Sequence, residues 1–399
     1  MQRILICISI IAFLFCGVGV STSQAYEWDP SKRWVWNLPA WMPFPIVPED
    51  NPMSREKVEL GRHLFYEKRL SVDGSIACAT CHDQARSFTD GRKLGVGIHG
   101  ALGKRNVLSL ANVGYLPVLT WANPNIKRLE QQALIPIFSD SPVEMGMAGR
   151  EAQLFASLKK DALYEKLFSA AFPNEQSLFS LKTVTYALAA FQRTLISVDS
   201  PYDQYRFQGR NEAISDSAQR GEDLFFSHRL ECYHCHFDIN FTNNLAHSRK
   251  PFVETGFHNT GLYNVDGKGA YPSMDRGLFD VTGNAEHIGR FRTPSLRNVE
   301  KTSPYMHDGS VASLDEVLEI YNRGGRIVHS GPLRGDGATS PLKDPFVVLP
   351  DLSIQEIADL KAFLLTLTDQ TFLSDPRFSN PWKEGPNASP LDSSKKILN

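Results

Sequence analysis

The chain has 399 residues, with 42 lysines and arginines against 44 aspartates and glutamates and a formal net charge of −2 at pH 7. So even a balance offers no field for nucleic acid or an anionic membrane, and neither is expected as a partner. The length exceeds one typical core, so two domains are expected.

In chain order, Arg3 followed by an apolar run from Ile4 to Val20 has the pattern of a signal peptide, with Ser23 and Ala25 at the cleavage positions. Residues 1–25 are therefore expected to be removed on export to the periplasm, with no membrane anchor after cleavage. An uncleaved anchor is the competing reading. Phe15 ahead of Cys16 is too bulky for a lipoprotein site. Residues 26–50 form an N-terminal arm with Trp28, Trp34, Trp36 and Trp41, for which packing is the plain reading.

Of the six cysteines, Cys7 and Cys16 lie in the signal segment, and the rest stand as Cys78-Ala-Thr-Cys81-His82 and Cys232-Tyr-His-Cys235-His236. Two thiols one turn apart reach the two vinyl groups of one porphyrin, and the next histidine lies beneath the iron as proximal ligand. Both pairs thus point to covalently bound haem c, two in all. A zinc site built from both pairs would explain the cysteines but leave His82 and His236 as coincidences.

An internal repeat surrounds these motifs. Gly61-Arg-His-Leu-Phe-Tyr-Glu-Lys-Arg-Leu70 precedes the first and Gly221-Glu-Asp-Leu-Phe-Phe-Ser-His-Arg-Leu230 the second, each a short amphipathic helix leading into a haem motif. The fold expected is mainly α: two tandem cytochrome c-like domains with long loops, at 51–200 and 216–372, the haems lying near their interface. Val184, Leu188, Phe191 and Leu195 recur at helical spacing and predict a helix over Leu181 to Ile196. The turn-rich stretch from Ser197 to Asp216 reads as the linker. The segment from Asp238 to Arg290 lacks periodicity, as loops that serve a site often do. Capping boxes at Ser313 to Glu316 and Ser353 to Glu356 announce helices over Val317 to Tyr321 and Ile357 to Leu367. Residues 373–399 form a C-terminal tail, which from Asp375 onward reads as a surface strap.

The tandem motifs, the lead-in Leu60-Gly-Arg-His-Leu-Phe-Tyr66, Phe291-Arg-Thr-Pro-Ser-Leu-Arg-Asn298 and Pro304-Tyr-Met-His-Asp-Gly309 together resemble the bacterial di-haem cytochrome c peroxidase and MauG family. The end of the first domain and His258-Asn-Thr-Gly-Leu-Tyr-Asn264 are most similar to its MbnH-like branch. The resemblance implies a peroxide-reactive haem in the first domain and an electron-transfer haem in the second. It also implies the residues around them. At the second haem, family peroxidases carry a methionine at the position of Tyr321, whereas MauG-like enzymes carry tyrosine. A phenolate stabilises oxidised iron better than a thioether does, so Tyr321 as a ligand favours oxidising chemistry over relay. On periodicity alone Tyr321 is a core residue with Leu314, Val317 and Leu318, and Met306 is the rival ligand.

At the first haem the resemblance makes Glu144 the acid-base group, with Gln132 and Pro136 lining the distal pocket. His99 stands in the loop from which resting peroxidases close this haem. Trp121 matches the tryptophan that passes electrons between haems. MauG has a further tryptophan where this chain has Leu230, so MauG's route to its partner does not transfer. Asn106, Thr302 and Pro304 match the positions that bind a calcium ion between the domains.

The reading implied is a MauG-type oxidoreductase that reacts with hydrogen peroxide and uses a high-valent di-haem state to oxidise a side chain, plausibly tryptophan, of an exported partner protein. The alternatives are a cytochrome c peroxidase fed by a small donor cytochrome and a non-catalytic di-haem electron carrier.

Overall fold

The structure is a computed structural model that describes residues 34–250 and 252–382. The signal peptide expected at 1–25, Trp28 and the end of the tail lie outside the described residues.

The first half starts at α1 (Arg55–Phe65), where Ser54 caps the N–H of Lys57 and Leu60, Leu64 and Phe65 turn inward. The single turn α2 (Cys78–Cys81) carries the first cysteine pair. Then follow α3 (Leu129–Gln132), α4 (Leu134–Phe138), α5 (Glu151–Lys159), α6 (Ala162–Ala171) and α7 (Leu181–Arg193). The second half repeats the plan with α8 (Pro201–Gln208), α9 (Asp216–Phe225), α10 (Cys232–Cys235), α11 (Phe279–Thr282), α12 (Leu314–Asn322), α13 (Ile354–Leu365) and α14 (Gln370–Ser374). Two antiparallel ribbons complete it: β1 (Phe257–His258) with β2 (Phe291–Arg292), and β3 (Ile327–Val328) with β4 (Gly335–Asp336). The protein is mainly helical, as expected.

The repeated glycine explains how each half is assembled. A Cβ on Gly61 of α1 would lie 1.9 Å from the Ala187 carbonyl oxygen of α7, and one on Gly221 of α9 would lie 2.0 Å from that of Asp359 in α13. Each half is therefore built on one close crossing between its first and last long helices, where no side chain fits. Leu60, Leu64, Phe65, Leu188 and Phe191 form the first core, and Phe225, Phe241, Leu360 and Phe363 the second.

Three segments differ from expectation. The presumed linker contains α8, started by Ser200, Pro201 and a reciprocal bond with Asp203, and its Asp203 is fully buried. Two capping signals inside a polar stretch outweigh its turn-like composition. The helix predicted to Ile196 ends at Arg193, because the N–H of Ser197 is taken by Asn112 Oδ1 at 2.7 Å. The tail is more than a surface strap. Phe372 and Phe378 enter the first core, Tyr66 donates to the Phe378 carbonyl at 2.7 Å, and Gln84 Nε2 donates to the carbonyls of Phe372 and Asp375.

Trp41 stacks on Phe207 at 4.1 Å, and Trp34 meets Trp36 edge-on at 5.3 Å, so the arm's described tryptophans do pack. No helix among the described residues is long and apolar enough to cross a membrane.

Candidate di-haem centre

Each Cys-x-x-Cys-His turn delivers its histidine in the same way. His82 Nδ1 lies 2.7 Å from the Phe88 carbonyl, and His236 Nδ1 lies 2.9 Å from that of Phe241. Phe88 and Phe241 both take left-handed backbone angles, φ 61° and 48°, which turn those carbonyls back toward the rings. With Nδ1–H engaged, Nε2 is left as a neutral lone pair, the form an iron ligand needs. Burial acts in the same direction, lowering the pKa of His82 and taking that of His236 down to about 4.

The cysteines are unpaired, and burial pushes the thiols of Cys78 and Cys232 up to about 12 and that of Cys81 up to about 11. Among the described residues no group of three or more His, Cys, Asp or Glu side chains is placed to hold a metal ion.

A largely apolar cavity opens beside His236. Cys232, Cys235 and His236 line one side, and Tyr321 of α12 lines it too. Leu314, Val317 and Leu318, the residues that made Tyr321 look like core, border the same space. Tyr321 is half-buried, desolvation raises its pKa above the ordinary phenol value, and its hydroxyl finds no hydrogen-bond partner among the described residues. Met306, held at φ 71°, also lines the cavity, so both candidate ligands are at hand.

Trp121 forms part of this wall, and its Nε1 donates to the Asn106 carbonyl at 2.8 Å. Thr89, one residue after the carbonyl that orients His82, borders the cavity as well, so the first motif's loop reaches the second motif's pocket. Asn106, Thr302 and Pro304 also line this cavity. Asn106 Nδ2 donates to the Arg92 carbonyl at 2.9 Å, which leaves Oδ1 free, and no donor among the described residues meets the Thr302 or Pro304 carbonyls. Three free oxygens suit a hard cation.

At the first motif Glu144 is largely buried, and desolvation alone raises its carboxyl pKa. It lies close enough to Cys78 and Cys81 to push both thiols up. Its backbone is held on two sides: the Glu144 carbonyl accepts from Ile98 at 2.8 Å, and the next residue, Met145, donates to the Pro136 carbonyl at 3.0 Å. Pro136 in α4 is thereby brought beside Glu144, with Gln132 one turn earlier at the end of α3. His99 follows Ile98 on an exposed turn at φ 56°, near Asp73. Leu230 is buried in the second core.

Two further histidines border the cavity. His258 is clamped by Asp344 at 2.6 Å and Asn243 at 2.8 Å. His307 stacks on Phe291 at 3.6 Å, and burial lowers its pKa to about 4. Both stand in motifs that the sequence displays, yet their partners lie 15 or more residues away.

The sequence model of a family described as di-haem cytochrome c peroxidase matches residues 55–212. The chain is 32% identical to cytochrome-c peroxidase IdrP1 of Denitromonas iodatirespirans over 84% of this chain and 88% of that protein. It is also 32% identical to the methylamine utilization protein MauG of Methylorubrum extorquens, over 88% of each. Among solved structures it is similar to a MauG-like protein associated with microbial copper homeostasis, with a TM-score of 0.85 and 50% identity over 88% of this chain and 100% of that one.

Proposed function

Since this chain belongs to the di-haem cytochrome c peroxidase family, we propose that it is a periplasmic oxidoreductase of the MauG type, which uses hydrogen peroxide to oxidise a side chain, a tryptophan, of an exported partner protein. Cys78, Cys81 and His82 would hold one haem c and Cys232, Cys235 and His236 the other, and these groups would supply the redox chemistry.

The chain's own residues do the rest. Glu144 accepts the proton of the inner peroxide oxygen and returns it to the outer one, which leaves as water. Its desolvated carboxyl, free of competing partners, suits that exchange. Pro136 and Gln132 narrow the space in which peroxide binds. Trp121, fixed by its bond to the Asn106 carbonyl, carries electrons between the two pockets. Asn106, Thr302 and Pro304 hold a calcium ion that ties the two halves together.

The observation that carries the reading is Tyr321 on the wall of the His236 cavity, with no hydrogen-bond partner for its hydroxyl among the described residues. With a haem held at His236 in that cavity, Tyr321 would supply an anionic oxygen donor, which favours oxidised iron over the reduced state a donor-fed relay needs. Peroxide added to the diferric protein, without any reductant, should then shift the Soret contributions of both haems into a long-lived state. A protein that stays inert until half-reduced would overturn the reading.

Met306 on the same cavity favours a second reading, a cytochrome c peroxidase fed by a small donor cytochrome, since thioether ligation raises the potential as a relay requires.

A further inference from the structure

Around α10 a stack of rings runs from the cavity wall to solvent. Phe346 lines the cavity beside His236 and stacks on His234 with ring centroids 3.9 Å apart and planes 14° apart. His234 in turn stacks on Tyr233 at 4.3 Å and 29°. The Tyr233 hydroxyl lies 2.8 Å from Nδ1 of His228, whose side chain is 90% exposed. Glu231 stands 2.5 Å from His234 Nε2 and holds that ring between its two neighbours. Tyr233 is also bonded in sequence to Cys232, one of the two residues that tether the second haem.

Three features separate this arrangement from ordinary packing. The rings are stacked nearly face to face at a half-exposed site, where burial contributes little. The phenol has a base at hydrogen-bond distance, and that base opens to solvent. Leu230, two residues before Cys232, belongs to the second core and borders the cavity, but its aliphatic side chain has no π system that could carry an electron.

We propose that Tyr233 is the electron inlet through which the partner's side chain is oxidised, with His228 as its proton acceptor and the His234–Phe346 stack completing the link to the haem cavity. This rests on the function proposed above. In the first step Tyr233 gives one electron to the peroxide-oxidised centre while its phenolic O–H bond breaks and the proton passes to His228 Nδ1. A neutral phenoxyl and an imidazolium remain. In the second step the phenoxyl takes one electron from the docked side chain and recovers its proton from His228. Two such passes return both equivalents of one peroxide, and Tyr233 is left unchanged. His228 is a positioning and proton-holding residue, while Tyr233 carries the electron.

The test uses the full di-haem protein, hydrogen peroxide and the radical trap 2-methyl-2-nitrosopropane, followed by peptide mass mapping. Wild type should carry the trap on the peptide holding Tyr233. Tyr233→Phe keeps the stack but not the phenol: both haems should still respond to peroxide, the adduct should vanish, and the oxidised state should persist about tenfold longer. His228→Gln should lower the adduct yield with Tyr233 in place. A Tyr233→Phe protein whose oxidised state decays at the wild-type rate, or a wild type trapped only elsewhere, would overturn the inlet and leave the function standing. A wild type whose haems do not respond at all would overturn the function and the inlet with it.

Discussion

His236 holds its imidazole in one tautomer through the 2.9 Å contact of Nδ1 with the Phe241 carbonyl, so Nε2 is the nitrogen offered to the cavity that Tyr321 borders. The axis from His236 to Tyr321 is where the proposed activity is decided.

Replacing Tyr321 by His exchanges an anionic oxygen for a neutral nitrogen. Both haems should remain attached, because Cys232, Cys235 and His236 are untouched, but the long-lived oxidised state should be lost. Peroxide titration followed by optical spectroscopy checks this. A Tyr321→His protein that keeps the state would remove Tyr321 as the ligand.

Glu144→Gln should slow the reaction with peroxide by about 10²–10⁴-fold, the usual reach of a positioned acid-base group, and leave the second haem's spectrum alone. The same change should raise thermal stability at pH 7. Desolvation raises the Glu144 pKa, so the folded chain binds this proton more tightly than the unfolded one. Stability therefore falls as pH climbs from the ordinary carboxylate range through the raised value, and the amide escapes that loss. Stopped-flow kinetics and a melting curve at pH 5 and pH 7 read both effects.

The two glycines were legible in the sequence only as a repeated letter. Their reason emerges where α9 meets α13, since a methyl group on Gly221 would overlap the Asp359 carbonyl. Gly221→Ala should cost about 1–3 kcal/mol by overpacking, read by denaturant unfolding of the holoprotein. A neutral result would mean that the crossing can open.

Arg297 and Asp203 form a buried two-pronged pair at 2.8 and 2.9 Å, 1% and 0% exposed, and Arg297 Nε adds a 2.7 Å bond to the Ile239 carbonyl. The pair fastens α8 to the loop after the second haem motif. Arg297→Met strands a buried carboxylate and should cost about 3–5 kcal/mol. Unfolding of the variant with intact haem content checks it.

Chelation by EDTA should weaken electronic contact between the haems if Asn106, Thr302 and Pro304 bind calcium, and added calcium should restore it. Asn106→Ala should mimic the chelator. If EDTA changes nothing in the wild type, the calcium assignment falls.

How much of this could be read in advance depended on distance along the chain. The haem motifs, the lead-in helices and the Ser353 cap are local patterns, and the structure shows the helices where the patterns put them. Helix α8 was missed because its start signals, Ser200 and Pro201, sit in a stretch whose composition says turn, and the Arg297 that buries Asp203 lies 94 residues on. The docking of Phe372 and Phe378 into the first core joins opposite ends of the chain, a pairing that periodicity does not encode. For the site the boundary is similar. Cys78, His82, Cys232 and His236 declare themselves, whereas Glu144 and Tyr321 look like one acid and one aromatic among many until the fold leaves them without partners.

The most direct test of the whole account is electron paramagnetic resonance of the diferric protein at rest. One high-spin centre with a free coordination position and one low-spin centre carrying histidine and tyrosinate oxygen is the predicted spectrum. Two low-spin centres, or a second centre with the signature of histidine and thioether sulfur, would contradict it and point to Met306.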